Sequence, residues 1–223
     1  MCARYTLVVP DGEFQEHFEL LSPPGLQPRY NIAPSQPVAV VGLKADGSAR
    51  GLVRMNWGFV PRWAKSPTDG PRPVNAKAET VRTSAPFRAS FRDRRCLIPA
   101  TGYFEWLSDD TGKVPYLFHK RDGGPFAFAG IWDLWKPTDG SPPLFTCAII
   151  TVEANRTCRL IHNRMPAILE KENYSDWLDS RRPTDAIHEL LRSAPDDYLA
   201  MRPVNRIVNK AMNNVPDCLL NSG

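Results

Sequence analysis

CLIPATGYFEWL, at residues 96–107, begins the part of the sequence that decides the fold. Three more apolar runs follow it closely, with PYLFH at 115–119, FAFAGIWDLW at 126–135 and LFTCAIITV at 144–152. Turn-forming residues separate the later runs, at 122–124 and 138–140. Short runs rich in β-branched and aromatic residues between turns are typical of β-strands. We therefore predict a central group of strands that pair as an antiparallel sheet.

Outside this group, the sequence predicts further strands at 38–43 and 201–204 and several scattered helices. Helical periodicity occurs at 11–21, 76–90, 155–161, 173–178 and 184–192. The strands and helices do not alternate regularly. This favours an α+β fold in which antiparallel sheets form a barrel-like core and helices lie at the periphery. A length of 223 residues suits one domain over 1–223, and we expect its core at 2–210 and a C-terminal tail at 211–223.

The composition is that of an ordinary globular protein. Hydrophobic residues make up 42% of the chain and charged residues 23%, which excludes a disordered, coiled-coil or collagen-like protein. No apolar run approaches the roughly 18 residues of a transmembrane helix. The N-terminus also lacks the basic and apolar regions of a secretory signal. We therefore expect a cytoplasmic protein that is not bound to a membrane, associated with the nucleoid if the source is a bacterium.

The cysteines and histidines do not form a metal-binding pattern. The five cysteines are widely spaced and contain no CxxC pair, which argues against a disulfide framework or a zinc site. No glycine-rich loop that would hold a phosphate occurs either. The sequence predicts no metal and no cofactor.

A mild positive charge is concentrated in one segment. The net charge is +4, which is compatible with an anionic partner but is weak evidence alone. Between residues 82 and 95, one acidic residue, Asp93, stands among five arginines, Arg82, Arg88, Arg92, Arg94 and Arg95. This strip is either a solvated helix face or a phosphate-binding surface.

Cys2 is the first candidate for chemistry. Removal of Met1 would leave a terminal cysteine with both a free α-amine and a thiol. The amine, whose pKa is normally near ~8, can attack an aldehyde, and the neighbouring thiol can then close a five-membered thiazolidine ring. An N-terminal cysteine can also act as a nucleophile with its own amine as base. The alternative is that Cys2 is only a small second residue.

Glu105 is the second candidate, because it interrupts an aromatic segment, GYFEW at 102–106. On a strand, Tyr103 and Glu105 would share one face and Phe104 and Trp106 the other. A carboxylate on a buried strand is costly unless it is paired. Its raised pKa would suit general acid–base catalysis. The alternative is a structural glutamate paired with an arginine.

Three further residues have both a chemical and a structural interpretation. His162 follows a short helical stretch, where it is either a proton-transfer group or a hydrogen-bonded loop histidine. Asn75 either caps the helix predicted at 76–90 or holds a substrate hydroxyl or the terminal amine. Trp63 either belongs to the core or provides a surface on which a nucleic-acid base can stack.

Taken together, these segments resemble the SOS-response-associated peptidase (SRAP) family of abasic-site processing proteins. Seven motifs occur in the order typical of that family: MCARY at 1–5, RYNIAP at 29–34, WGFVP at 57–61, NAKAET at 75–80, RCLIPA at 95–100, GYFEW at 102–106 and HNRMP at 162–166. A weaker similarity continues to residues 203–209. No single motif is decisive, but seven in register are highly specific.

The resemblance implies a fold, a reaction and roles for four catalytic residues. It implies one SRAP-like domain that senses abasic sites in single-stranded DNA, crosslinks to them through a thiazolidine and shields the lesion during the damage response. Cys2 would be the nucleophile and Glu105 would transfer protons. His162 would assist Schiff-base chemistry and crosslink reversal, and Asn75 would orient the sugar or the amine. The family is also associated with thiol autopeptidase activity, which frees Cys2, and with abasic-site lyase activity.

The resemblance also implies a DNA-binding surface and a partner. The residues expected to contact DNA are Arg4, Arg29, Asn31, Trp63, Lys77, Arg82 and Arg164. The expected partner is single-stranded DNA that contains abasic sites, with junctions between single and double strands as a second form. A monomer suffices for one-to-one capture. Two other hypotheses remain: a non-covalent single-stranded DNA-binding module, and a cysteine-dependent peptidase that acts on other proteins.

Three positions depart from the family pattern. Ala3 replaces a glycine, which would lower reactivity if the terminus needed a backbone conformation that only glycine adopts. Lys77 replaces an arginine, which keeps the charge but loses the two-pronged hydrogen bonding to a phosphate. Ala64 replaces the second residue of a tryptophan pair and leaves Trp63 alone.

Overall fold

A computed structural model describes residues 2–44, 47–68, 70–110 and 112–222 of the chain. These residues form strands β1 Tyr5–Leu7, β2 Arg29–Ile32, β3 Pro37–Leu43, β4 Arg50–Trp57, β5 Asn75–Lys77, β6 Arg95–Ala100, β7 Gly102–Asp109, β8 Gly112–Lys120, β9 Phe126–Trp135, β10 Leu144–Glu153, β11 Arg164–Pro166, β12 Ile168–Leu169 and β13 Leu199–Pro203. The α-helices are α1 Asp11–Phe18, α2 Arg88–Asp93, α3 Arg156–Arg159, α4 Tyr174–Leu178 and α5 Thr184–His188. Short 3-10 helices occur at Lys171–Asn173, Arg206–Asn209 and Pro216–Leu219.

The strands form two sheets. The first is antiparallel, with the order β13-β8-β7-β1-β2. In the second, β3, β4, β6, β9 and β10 pair in a closed ring, because β10 contacts both β4 and β9. The predicted α+β class is confirmed, and this ring is its barrel-like core. The pairings of β10 with β4 and β5 are parallel, a feature that the sequence did not indicate.

Strand alternation determines which side chains point into the ring. Met55 and Trp57 lie on the same face of β4, and Trp57 is paired with Cys147 of the neighbouring strand β10. Phe128 of β9 belongs to the same inner face. Tyr5 of β1 packs edge-on against Trp57 and Phe128, with ring centroids 5.2 and 5.7 Å apart. The first sheet thus closes one end of the ring interior with an aromatic cluster.

Gly130 allows β6 and β9 to pack closely inside the ring. A Cβ atom at Gly130 would lie 2.8 Å from Sγ of Cys96 and 2.9 Å from the side chain of Ile98. Contacts this short would force the packed side chains to move. The position therefore requires glycine because of the space available.

The long helix predicted at 76–90 is wrong. Residues 75–77 form β5, which pairs with β10 through the register Ile149↔Asn75, and the N–H of Ala78 donates to the carbonyl of Thr151. A series of turns follows, and the helix begins only at Arg88. Pairing with a buried central strand satisfies the backbone groups that a helix would have satisfied internally. The other four predicted helices exist but are shorter.

The C-terminal segment packs against the outer face of the first sheet. Cys218 is fully buried in a small cluster with Phe104, Leu117, Val204 and Val208. Among the described helices, none combines the length and the apolar composition needed to span a membrane.

Candidate active site

The segment before β1 places Cys2 inside the protein, beside β5. The Cys2 side chain is fully buried, and its carbonyl accepts a 2.8 Å hydrogen bond from Nδ2 of Asn75. The other amide atom of Asn75, Oδ1, is buried and has no hydrogen-bond partner among the described residues. A buried acceptor without a partner carries a free-energy cost. Asn75 is therefore positioned to accept a hydrogen bond from a group that arrives beside Cys2.

Glu105 lies near Cys2 on the inner face of β7. Its side chain is only 6% exposed, and burial raises the pKa of its carboxyl, while the charged form of His162 opposes that rise. Burial also raises the pKa of the Cys2 thiol, and the negative charge of Glu105 raises it further. A carboxyl with a raised pKa can hold a proton at a higher pH than usual and then release it. The thiol, for its part, stays neutral until a base accepts its proton.

Hydrogen bonding orients the His162 ring. Its Nδ1 accepts a 2.9 Å hydrogen bond from the backbone N–H of Arg164. In a neutral ring, this leaves the proton on Nε2. His162 can therefore donate a proton from Nε2, and the start of β11 sets the orientation of its ring.

Strand β10 positions several site residues at once. It lies between β5 and β11, with Ile149 opposite Asn75, Thr151 opposite Lys77 and Glu153 opposite Arg164. Asn75 belongs to a strand and caps no helix. Asn75 binds the Cys2 carbonyl, the charge of Glu105 acts on Cys2, and that of His162 acts on Glu105. The four residues predicted to be catalytic therefore lie close together, although they come from separate segments.

Ala3 fits this arrangement without strain. Among the described non-glycine residues, only Glu19 and Ser35 have a positive φ. Ala3 therefore occupies a conformation that any residue can adopt, and the departure from glycine needs no backbone compensation.

Arg164 and Lys77 are the predicted DNA contacts that lie beside this group. Nη1 and Nη2 of Arg164 bind the two carboxylate oxygens of Glu79 at 2.6 and 3.0 Å. Nη2 also donates to the carbonyl of Thr151 at 2.6 Å. Lys77 is exposed at the end of β5. These two side chains form the cationic part of the site.

Arg4, Asn31 and Arg29 belong to the framework on the other side of Cys2. Arg4 donates 2.8 Å hydrogen bonds to Oδ1 of Asn31 and to the carbonyl of Val208, and its guanidinium lies 5.6 Å from the Trp106 ring. Asn31 is fully buried, and Arg29 binds the Gln36 side chain. Asn31 thus supports Arg4 and the 208–213 segment from within, and contact of these residues with DNA stays a prediction.

The structure places Trp63 and Arg82 outside the group around Cys2. Trp63 is 66% exposed, so the core interpretation of this residue does not hold. Arg82 forms an ion pair with Asp185 of α5. In the basic strip, Arg94 turns inward to the buried carboxylate of Asp133, and Arg95 is buried. The strip is therefore not one continuous cationic surface.

Tyr103 and Cys158 lie close to Glu105, although the sequence did not indicate them as site residues. The Tyr103 hydroxyl lies 3.1 Å from the Cys158 thiol, and burial raises the pKa of that thiol to about 11. The charge of Glu105 acts on both groups. Tyr103 shares the inner face of β7 with Glu105, and this alternation could have revealed it. Within the described ranges, no three His, Cys, Asp or Glu side chains are grouped to hold a metal ion.

The chain is similar in sequence to the members of one known protein family. The sequence profile of the SOS response associated peptidase (SRAP) family matches residues 1–211. Abasic site processing protein YoqW of Bacillus subtilis is 36% identical over 98% of this chain and 99% of its own length. Abasic site processing protein HMCES of Gallus gallus is 34% identical over 87% of this chain and 66% of its own length.

Solved structures with the same fold are also known. A crystal structure of a protein from Bacteroides thetaiotaomicron has a TM-score of 0.87 at 25% identity and covers 99% of this chain and 100% of that one. A phage-related protein from Bordetella bronchiseptica has a TM-score of 0.74 at 27% identity, with 91% of this chain and 94% of that one covered.

Proposed function

The chain belongs to the SRAP family, and from that premise we propose that it processes abasic sites in DNA by covalent capture through Cys2. The observation that carries this proposal is the proximity of Asn75 and His162, both half-buried, to the buried side chains of Cys2 and Glu105. The relatives YoqW and HMCES are named abasic site processing proteins, which supports the choice of substrate. The capture chemistry rests on the side chains of this chain.

The reaction begins once Met1 has been removed and the α-amine of Cys2 is free. This removal is the thiol autopeptidase step. The amine adds to the C1′ aldehyde of the ring-opened deoxyribose, and loss of one water gives a Schiff base. The thiol then adds to C1′, its proton passes to the nitrogen, and a thiazolidine closes. The net reaction forms one C–N and one C–S bond and releases one water.

The neighbouring side chains supply the proton transfers. Glu105, with its raised pKa, gives a proton to the departing hydroxyl and afterwards, as a carboxylate, accepts the proton of the thiol. The Oδ1 atom of Asn75 accepts a hydrogen bond from the amine and aligns it. His162, through Nε2, assists formation and reversal of the Schiff base. The same Schiff base acidifies the C2′ proton, which would account for an accompanying lyase activity.

The DNA backbone would pass over the cationic edge made by Lys77 and Arg164, with Arg4, Arg29, Trp63 and Arg82 as further contacts. Asn31, which is buried, would act on DNA binding through Arg4. Phosphate contacts of this kind position the strand without reading its sequence, and an exposed tryptophan offers a stacking surface to any base. The proposed substrate is accordingly single-stranded DNA with an abasic site, including sites at junctions with a duplex. A monomer in the cytoplasm, near the nucleoid if the source is a bacterium, would suffice.

Intact-protein mass spectrometry tests the proposal. The protein is incubated with a single-stranded oligonucleotide that contains one abasic site, and with the same oligonucleotide undamaged. We expect loss of Met1, then a stoichiometric adduct of protein plus DNA minus one water. The adduct should be stable without a reducing agent and absent in Cys2→Ala.

Two controls make the result decisive. Cys2→Ser keeps the amine but loses the thiol, so it should yield an adduct only after borohydride reduction of the Schiff base. Fluorescence anisotropy should show that Cys2→Ala still binds undamaged single strands. A native protein without Met1 that binds DNA but forms no adduct would leave the non-covalent binding module as the function. Cleavage of a protein substrate that depends on Cys2 would favour the peptidase.

A further inference from the structure

The ring has a second, open end that contains a cavity with an apolar floor. Its volume is about 780 Å³, within the range of small-molecule sites, which often occur in the mouths of β-barrels. None of the four candidate catalytic residues lines it. The register Val40↔Val53 on β3 and β4 and Cys147↔Trp132 on β10 and β9 shows that the cavity continues the inner face of the ring.

The part of the wall that the ring strands supply is mostly apolar and partly solvent-exposed, whereas the rim is charged. Val40 and Cys96 form a fully buried floor, while Val53 and Phe145 are 48% and 40% exposed. Trp132 also contributes a wall. At the other end of the ring interior, Tyr5 packs on Trp57 and Phe128, so the cavity opens on the side away from Tyr5.

A buried cation borders the cavity. Arg95 is only 5% exposed, and four of its N–H groups donate to backbone carbonyls of Trp177, Phe91, Arg92 and Asp179 at 2.6–2.7 Å. Within the described part of the chain, no carboxylate forms an ion pair with its guanidinium. A buried charge without an opposite charge is costly, and an anion in the cavity would reduce that cost.

The two carboxylates on the rim offset this charge only in part, because the negative charges of Asp179 and Asp93 act on Arg95 but each is shared with a second arginine. Asp179 forms two hydrogen bonds with Arg181, at 2.8 and 2.9 Å, and Asp93 forms two with Arg92, both at 2.9 Å. Three cations, Lys44, Arg95 and Arg181, and two carboxylates, Asp93 and Asp179, line the cavity. The excess of one positive charge makes the rim complementary to a single negative charge.

We propose that this cavity binds a small amphiphilic monoanion, with its apolar body against Val53, Phe145 and Trp132 and its negative group toward Arg95. The chemical class is a carboxylate or sulfonate on an aromatic or medium-length alkyl body. The site is independent of Cys2, and its occupancy does not require DNA.

Fluorescence titration with 8-anilinonaphthalene-1-sulfonate, followed by displacement with decanoate below its micelle-forming concentration, tests this site. We expect saturable 1:1 binding and displacement by decanoate at a concentration at least tenfold lower than by decan-1-ol or decyltrimethylammonium. Val53→Glu places a carboxylate on the wall at an exposed position and should weaken binding at least tenfold. Leu21→Glu is the matched control, since Leu21 is 70% exposed outside the cavity, and it should bind like the wild type.

Several results would overturn the proposal. They are the absence of saturable binding, equal displacement by the cationic amphiphile, or equal binding by Val53→Glu and the wild type. Size-exclusion chromatography at the titration concentrations can give one more such result. If the protein is a dimer that forms through Val53 and does not bind the probe, a second copy of the chain occupies the cavity and the proposal is wrong. Cys2→Ala should bind the probe normally, so failure of abasic-site capture and failure of this site can be told apart.

Discussion

Replacement of Glu105 by glutamine should stabilise the protein and slow its reaction at the same time. The side chain is 6% exposed, and burial raises the pKa of the carboxyl above its usual 4.5. The folded state thus binds this proton more tightly than the unfolded state does. Stability is highest below the unfolded pKa and falls as pH rises through the folded one. At pH 7, an ionised Glu105 therefore costs stability, whereas a glutamine does not.

The size of this effect follows from the burial. Ionisation of a carboxyl whose pKa burial has raised costs on the order of 1 kcal/mol or more of stability. In a chain of 223 residues, that corresponds to an increase in Tm of roughly 2–4 °C. The rate of crosslinking should fall about 10²- to 10⁴-fold, the usual contribution of a positioned acid–base group.

Two assays on the same preparations check this pair of effects. Scanning calorimetry between pH 5 and 8 should give a Tm that declines less with pH in Glu105→Gln than in the wild type. Single-turnover crosslinking to an abasic oligonucleotide gives the rate. Glu153→Gln is a suitable control, since Glu153 lies at the end of β10 with a side chain 74% exposed, and it should change neither quantity appreciably. A glutamine variant that is less stable at every pH and crosslinks at the normal rate would refute the reasoning.

Three further substitutions test other parts of the structure. Glu79→Gln releases Arg164 from a partly exposed ion pair worth about 0.5–1 kcal/mol, so binding to undamaged single strands should tighten a few-fold in fluorescence anisotropy; unchanged or weaker binding would argue against a phosphate contact by Arg164. Gly130→Ala brings a Cβ within 2.8 Å of Sγ of Cys96 and should cost about 1–3 kcal/mol in urea unfolding, whereas wild-type stability would show that the ring relaxes freely. Asn155→Ala removes the side-chain cap of α3 and should lower the free energy of unfolding by about 1–2 kcal/mol in the same measurement. An unchanged free energy of unfolding would show that solvent replaces the cap.

The sequence predicted the central strands well because each of these buried strands is a continuous apolar run in the sequence. The run at 126–135 coincides with β9, and the run at 144–152 lies within β10. The sequence did not predict strand β4, because Arg50, Arg54 and Asn56 interrupt its apolar pattern. Arg50 is nevertheless buried, where it donates to the carbonyl of Phe18 and binds the Glu19 carboxylate. The partners of Arg50 are about 30 residues away in the chain, so the sequence around β4 alone could not indicate that Arg50 is buried.

The same distinction explains the candidate site. Residue types alone identified Cys2, Glu105 and His162 as chemically suitable, but they did not indicate which groups meet. Asn75 illustrates the difference. Its position before an apparently helical segment suggested a cap, whereas parallel pairing with Ile149 of β10 makes it part of a strand and directs its amide at Cys2. Parallel strands are not joined by a tight turn, so no turn pattern in the sequence could predict the pairing of Asn75 with β10.

Strand β10 therefore connects the two proposed sites physically. Near its C-terminal end, Thr151 and Glu153 hold the strands that present Lys77 and Arg164. Near its N-terminal end, Phe145 forms part of the cavity. Because the same strand is hydrogen-bonded on both sides within the ring, substitutions that shift its register would disturb both ends together. Side-chain changes at Val53 or Glu105, which leave the register intact, should instead affect only one end, and for this reason they separate the two sites cleanly.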